Sequence, residues 1–231
     1  MRDFSAAELL DIWERGVNAP QVERALDLLA AAHGLSSDDI ASWPIGTRDA
    51  RLLEFRERTF GPVLETLAEC PHCGNTTEAA VRIADLLALD KTDSQHEWHY
   101  DGLRIRFRPV NSADILAVIR SGESETALLE RCIIENDAPN ATPIQHDAFA
   151  LVLADADPLA DITLDYECPD CGGAWTAPLD VVSYVWTEIA AWAARALDDV
   201  HRLALAYGWP EAAILALSPA RRAAYLERIE S

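Results

Sequence analysis

A chain of 231 residues, half of them hydrophobic and a quarter charged, can bury a real core and does not have the composition of a disordered tail. Its formal charge of −20, from 39 acidic against 19 basic residues, opposes general binding to a phosphate backbone, so nucleic acid is not expected as a partner. No uncharged apolar run reaches the roughly 18 residues a membrane helix needs, and a start containing Arg2, Asp3 and Glu8 lacks the apolar stretch of a secretion signal. The expectation is a cytoplasmic protein with no membrane segment. Glu135 to Glu167 contains no Lys or Arg, and the strong negative charge there is read first as solvation.

The N-terminal third reads as helical. Ser5 and Glu8 fit a capping box before Leu9, Leu10, Ile12 and Trp13, and Pro20 can open a helix carrying Val22, Ala25, Leu26, Leu28 and Leu29 that Gly34 stops. Two short helices follow. After Pro44-Ile45-Gly46, Thr47 is expected to cap a helix with Leu52, Leu53 and Phe55 inward, its Arg48, Arg51, Arg56 and Arg58 alternating with acids on the solvated side. Gly61-Pro62 breaks it, and a further helix from Val63 to Glu69 leads to the first pair of cysteines.

Beyond that pair, Ala80 to Ile83 reads as a strand. Glu97 to Tyr100, an Asp101-Gly102 turn and Leu103 to Val110 form a hairpin in which Leu103, Ile105 and Phe107 alternate with Arg104, Arg106 and Arg108. That basic face is expected to be solvated or paired with the chain's own carboxylates rather than with phosphate. Ser112 can cap a helix over 113–120 and Ser124 one over 125–135, with Cys132 as a small core residue; a loop with Pro139 and Pro143 leads to a helix from Gln145 to Ala154. Strands over 162–167 and 175–179 flank the second cysteine pair. A long amphipathic helix runs from Val181 to Tyr207 with Val185, Ile189, Ala193, Leu197 and Val200 on one stripe and Trp186 beside it. Gly208 ends it, and Pro210 and Ser218-Pro219 start two short helices carrying Ile214, Leu215, Tyr225, Leu226 and Ile229.

The chemistry sits in Cys70-Pro71-His72-Cys73-Gly74 and Cys168-Pro169-Asp170-Cys171-Gly172, which repeat the pattern Cys-Pro-x-Cys-Gly. Each is a zinc knuckle: the tight turn sets two thiolates on one side, and Gly permits the positive φ that aims backbone N–H groups at sulfur. Cys70, Cys73, Cys168 and Cys171 together give a closed four-sulfur site for one structural zinc, and loop-closure cost rises only logarithmically with the long stretch between the halves. The rival is redox chemistry, since Cys-Pro-His-Cys also occurs in thioredoxin-like oxidoreductases at a helix N-terminus; here Gly74-Asn75-Thr76-Thr77 reads as turn and strand instead. The fold class expected is mainly α with a small β component, a helical protein with a zinc ribbon built from two distant knuckles. Its parts are a helical region over 1–66, the ribbon's first half over 67–97, a hairpin with helical insertion over 98–161, the second half over 162–182 and a helical region over 183–231.

Weaker patterns point to no enzyme. His96 and His99 are spaced three apart rather than four and enter a hairpin, so they read as surface strand residues. Asp155, Asp157 and Asp161 lack the Gly and terminal Glu of a calcium loop, leaving capping and solvation. Four thiolates leave no vacant position for hydrolysis, and no phosphate loop, nucleophile elbow or dinucleotide fingerprint is present. Of seven tryptophans, one or two are expected to be exposed and available to a partner.

The C-terminal run Trp186-Thr187-Glu188-Ile189, Asp199 to Ala204, Tyr207-Gly208-Trp209 and Ile214 to Leu226 resembles the baseplate hub assembly chaperone-like proteins of tailed phages and phage-tail-like contractile injection systems. Pro44 to Ala50, Phe60-Gly61 and both knuckles are similar to the same proteins, so the resemblance covers most of the chain. It implies a transient chaperone or minor component in baseplate assembly, with baseplate or tail structural proteins as partners and a place in the cytoplasm or in a tail-like particle. No catalytic residues carry over, only the four cysteines. A zinc-ribbon adaptor in another pathway and a thiol-disulfide oxidoreductase are the alternatives. The helices from Trp186 onward, with Trp209, Tyr225 and Leu226, are expected to join the contact surface, packing on their own domain being the other possibility.

Overall fold

The computed structural model describes residues 1–90, 95–100, 102–137 and 146–230. Helix α1 (Ala6–Gly16) opens with the expected box, Ser5 and Glu8 satisfying each other's backbone N–H groups. Helix α2 (Gln21–His33) starts after Pro20 and ends on Gly34 at φ 69°. One short helix, α3 (Ser37–Ala41), follows where two were expected. Helix α4 (Ile45–Phe60) begins earlier than Thr47, which lies inside it; Pro44 occupies the cap position without a side-chain bond. Leu52, Leu53 and Phe55 are inward as expected, but Arg48 and Arg56 are buried as well. Arg48 binds Asp49 and the Ser112 hydroxyl, and Arg56 donates to the carbonyls of Gly61 and Val63, so their charges are absorbed inside the protein.

The largest departure is the segment after Gly61. Val63–Glu69 is strand β1, paired antiparallel along its whole length with β2 (Thr76–Arg82), and not a helix. Leu, Glu and Ala favour a helix locally, yet the same letters also alternate: Leu64 and Thr66 go inward while Glu65 and Leu67 face out. Cross-strand pairing with the Thr- and Val-containing β2 decides the outcome. The short helix α5 (Ile83–Leu87) completes this part.

Strands β3 (His96–Tyr100) and β4 (Leu103–Phe107) form the expected hairpin with Gly102 at φ 77°; Asp101 lies outside the described residues. Helix α6 (Ser112–Ser121) is capped by Asn111 with Asp114, not by Ser112, and α7 (Glu125–Arg131) has Ser124 at its cap position without a side-chain bond. Residues 133–135 are not helical. Ile133–Asn136 is strand β5, which joins the sheet in the order β3-β4-β5, because β-branched Ile133 and Ile134 fit a pleated edge better than a last helical turn. The proline loop at 139 and 143 and the predicted helix start at 145 lie outside the described residues; α8 is described over His146–Ala156. A single 3-10 turn (Pro158–Ala160), β6 (Thr163–Glu167), β7 (Ala174–Pro178), α9 (Val181–Tyr207), α10 (Glu211–Leu215) and α11 (Pro219–Glu230) complete the order.

The elements sort into two compact units, one of Met1–Gly34 with Val182–Ser231 and one of Leu35–Val181. The first is helical. Its core joins Leu10 to Ala193, Ala196, Val200, Leu203, Ile214 and Leu215, with Trp13, Trp192, Trp209, Tyr225 and Leu226 packed around them. The buried stripe of α9 passes through Ala196, and Leu197, expected there, is exposed, because the sequence 185, 189, 193, 196, 200, 203 keeps the 3.6-residue period. Gly16 is obligatory where α1 meets Trp186: a Cβ would lie 2.0 Å from the indole ring. None of the seven tryptophans is exposed, which corrects the expectation of one or two on the surface. Trp209, Tyr225 and Leu226 are used in packing within their own unit.

In the second unit the sheet β3-β4-β5 packs on α7 and α8 through Phe107, Leu129, buried Cys132, Phe149 and Leu153, with Trp98 stacked on Phe149. The basic residues of β4 and the arginine just after it pair with the chain's own acids, as the sequence suggests: Arg106 with Glu135 at 2.8 Å, Arg104 with Glu97 and Asp137 at 3.5 Å, and Arg108 with Asp114 at 2.6 Å.

Candidate metal centre

Two hairpins of the second unit end in the two cysteine turns. Cys70–Gly74 lies at the tip of β1-β2, and Cys168–Gly172 at the tip of β6-β7. The turns have the same hydrogen bonds. Cys70 N–H donates to Asn75 O and Gly74 N–H to Cys70 O, each at 2.9 Å; Cys168 N–H donates to Gly173 O and Gly172 N–H to Cys168 O, again at 2.9 Å. Gly74 at φ 78° and Gly172 at φ 69° take the left-handed backbone that an L side chain resists. The repeated pattern thus folds twice into one local shape.

The facing tips bring all four sulfurs within 4.8 Å of one another. Cys70 Sγ lies 3.7 Å from Cys171 Sγ and Cys73 Sγ lies 3.6 Å from Cys168 Sγ. Four sulfurs placed about 2.3 Å from a central ion in a tetrahedron are about 3.8 Å apart, so the two contacts between the turns match that spacing and the remaining pairs lie within 4.8 Å. None is in a disulfide. Among the described residues these four are the group that can hold a metal ion.

Side chains from both hairpins lock the tips together. The His72 ring occupies the space over Gly173, where a Cβ would meet it at 2.4 Å. Asn75 Nδ2 donates to Asp170 Oδ2 at 2.9 Å, and Tyr166 Oη donates to Thr66 Oγ1 at 2.8 Å while that hydroxyl donates to Ala79 O. Tyr166 also stacks on Trp175. Sequence reading missed the couplings between the hairpins, since His72–Gly173, Asn75–Asp170 and Thr66–Tyr166 each join residues about a hundred positions apart. One signal was present: Gly172 alone serves the turn, so the second glycine of the doublet, with no positive φ, marks a close approach.

The thiols interact strongly. The backbone N–H groups of Cys171 and Asp170 aim at Cys168 and hold its pKa down to about 6. The Asn75 N–H acts the same way on Cys73, but desolvation, the facing thiols of Cys168 and Cys171 and the Cys70 thiol of its own turn outweigh it and push Cys73 up to about 12. Cys171 has a supporting N–H from Gly173 and is nonetheless raised by desolvation and by the thiols of Cys70 and Cys168. One thiolate forms readily, and further ones are opposed by desolvation and by the hydrogen bonds the thiols share. A bound cation reverses that opposition, so the donor chemistry fits a divalent metal.

Other candidates are not assembled into sites. His96 stacks on Phe107, while His99, at odd spacing in the same strand, points to the opposite face. Asp157 accepts the Gly46 N–H at 2.9 Å and so caps α4 from across the sequence, which matches the capping role expected for this acidic stretch. No helix among the described residues is long and apolar enough to cross a membrane.

The fold and centre define a mainly helical protein in which two strand hairpins present a four-cysteine cluster able to hold a metal ion. A family model described as T4 bacteriophage base plate protein matches residues 12–138, more than half of the chain, and the chain belongs to that family. The matched stretch includes Cys70 and Cys73 and ends before Cys168. No curated protein and no solved structure matches the chain.

Proposed function

We propose that this chain is a zinc-stabilised assembly factor or minor structural component of the baseplate of a phage or phage-tail-like contractile injection system. It binds baseplate or tail structural proteins and catalyses no reaction. The family match carries the baseplate reading. Four thiolates at tetrahedral spacing support zinc, a soft-ligand metal for which closed four-sulfur sites are structural. In this reading the two cysteine turns are the halves of a zinc ribbon, and Cys70, Cys73, Cys168 and Cys171 ligate one ion per chain. With every coordination position filled by protein, the ion supplies shape rather than a reactive site. It joins the two ends of the excursion over residues 74–167, which carries the sheet β3-β4-β5 and α6 to α8.

The test has two parts. Elemental analysis of protein purified without added metal is expected to give one zinc per chain; iron, or no metal with two disulfides, would overturn the zinc assignment. Co-expression with each baseplate and tail protein of the same gene cluster, followed by pull-down and mass spectrometry, is expected to recover a structural component. Recovery of none of them would reject the assembly role.

A further inference from the structure

The four sulfurs are not equivalent. Cys73 and Cys171 are exposed and Cys70 and Cys168 buried. The contacts at 3.6 and 3.7 Å both run between the turns, and each joins an exposed sulfur to a buried one: Cys73 to Cys168, and Cys171 to Cys70. We propose that the cluster is also an oxidation site, at which a hydroperoxide converts the thiolates into two crossed disulfides, Cys73–Cys168 and Cys70–Cys171. A covalent staple between the hairpins then replaces the metal. The inference rests on the reading that these cysteines hold zinc, and adds the reactant class, the order of attack and the pairing.

The chemistry balances without an external thiol. Cys73 Sγ, the exposed sulfur of its pair and one that a bound cation would keep as the thiolate, attacks one oxygen of hydrogen peroxide, the O–O bond breaks, and the departing hydroxide takes a proton to become water, leaving a sulfenic acid on Cys73. Cys168 Sγ attacks that sulfur, the S–O bond breaks, and the second hydroxide also leaves as water. Two thiolates, one peroxide and two protons give one disulfide and two waters; the peroxide gains the two electrons the sulfurs lose. Cys171 and Cys70 repeat the sequence with a second peroxide. Since the thiolate is the metal-binding form, each crossed bond removes two donors.

Geometry favours crossing. The His72–Gly173 approach, the Asn75–Asp170 bond and the Tyr166–Thr66 bond tie the facing tips together through groups other than the four sulfurs. A crossed pair has to close by only about 1.6 Å to reach a disulfide bond length of about 2.05 Å. The buried partner, already in contact, captures the sulfenic acid before a second peroxide drives it to sulfinic acid.

The experiment uses the full chain with its zinc content measured first. Hydrogen peroxide is added, released zinc is followed with a chromogenic chelator, and the alkylated protein is digested with trypsin without reduction. Cleavage after Arg58, Arg82, Arg131 and Arg195 yields peptides 59–82 and 132–195, each holding one cysteine turn. The expected result is one zinc released per two disulfides, with these two peptides joined, Cys132 alkylated throughout, and fragmentation between Cys70 and Cys73 and between Cys168 and Cys171 assigning the bonds as Cys73–Cys168 and Cys70–Cys171; the four thiols of the cluster and bound zinc are recovered after reductant and zinc are returned. Disulfides within each turn, sulfinic acid without disulfides, or zinc retained under excess peroxide would each overturn the proposal while leaving the zinc assignment standing. A chain without zinc before treatment would take down both.

Discussion

Replacing Cys168 by Ser removes one donor from the buried side of the centre and opens the link between the two hairpins. If the metal acts as a cross-link between Cys73 and Cys168, it closes a loop of roughly 95 residues, and the chain-entropy relation for such a loop gives about 4.7 kcal/mol of stabilisation at 25 °C. For the unit of residues 35–181, with roughly 2–4 °C of melting temperature per kcal/mol at that size, the loss is a fall of roughly 10–20 °C. The unit of residues 1–34 and 182–231 has its own core around Leu10, Ala193, Leu203 and Ile214, and contains none of the four cysteines. Differential scanning calorimetry should therefore resolve two transitions, of which Cys168→Ser, or metal removal by a chelator, lowers only one. Identical melting of the metal-loaded and chelator-stripped protein would refute the clamp. A uniform fall of both transitions would refute the independence of the cores.

Gly46→Ala places a methyl 1.8 Å from Asp157 Oδ1 and forces apart a buried carboxylate–amide bond. Lost bonding of about 1.5–3 kcal/mol to a charged acceptor exceeds the gain of about 1 kcal/mol in helix propensity, so urea denaturation should show net destabilisation; unchanged stability would remove Asp157 as the cap of α4. Glu8 has its pKa lowered to about 2, first by the Ser5 backbone N–H and then by Arg2, so its contribution is fully present above pH 4.5 and is lost as pH falls through about 2. In an NMR titration Glu8 should have its midpoint near 2 and move upward in Ser5→Ala; a midpoint near 4.5 in the intact chain would exclude the capping box in solution. Deleting residues 209–231 strips Ile214 and Leu215 from the core of the first unit, at about 2–5 kcal/mol for each buried aliphatic, and should abolish that unit's cooperative melting. Leu205→Asp, at a side chain 81% exposed, should shift stability by no more than about 0.5 kcal/mol, so it can probe partner binding by the C-terminal helices where the deletion cannot.

Elements were legible in the sequence where one local signal decided the structure. The capping box at Ser5, the stop at Gly34, the hairpin through Gly102 and the end of α9 at Gly208 all depend on residues within a few positions of one another. The two cysteine turns were legible for the same reason: a five-residue pattern repeats, and each copy folds by bonds inside itself. Failures came where a partner far along the chain settled the outcome. Val63–Glu69 is a strand because of its register with β2, Ile133–Asn136 because of β4, and Arg48 is buried because Ser112 and Asp49 are there to receive it. The aromatic residues assigned to a partner surface belong to this class too. Trp209 and Tyr225 lie at amphipathic positions that suit either a partner or the chain's own core, and the nearby Ile214, Leu215 and Leu203 fill that role inside the unit.

The mistaken helix at Val63 bears on the centre as well as on the fold. A helix delivering Cys70 would have left the first turn with nothing to pair against, whereas strand β1, held by β2 along its length, makes both halves of the centre the tips of antiparallel hairpins. Equivalent hairpins can meet tip to tip, so that the sulfurs of one turn contact those of the other, and the close packing of His72 on Gly173 requires that arrangement. The geometry that fits a tetrahedral ion is therefore set by strand pairing and by long-range side-chain bonds before any metal is considered. An ion held by the four cysteines would keep that meeting together against the entropy of the long excursion between the two halves.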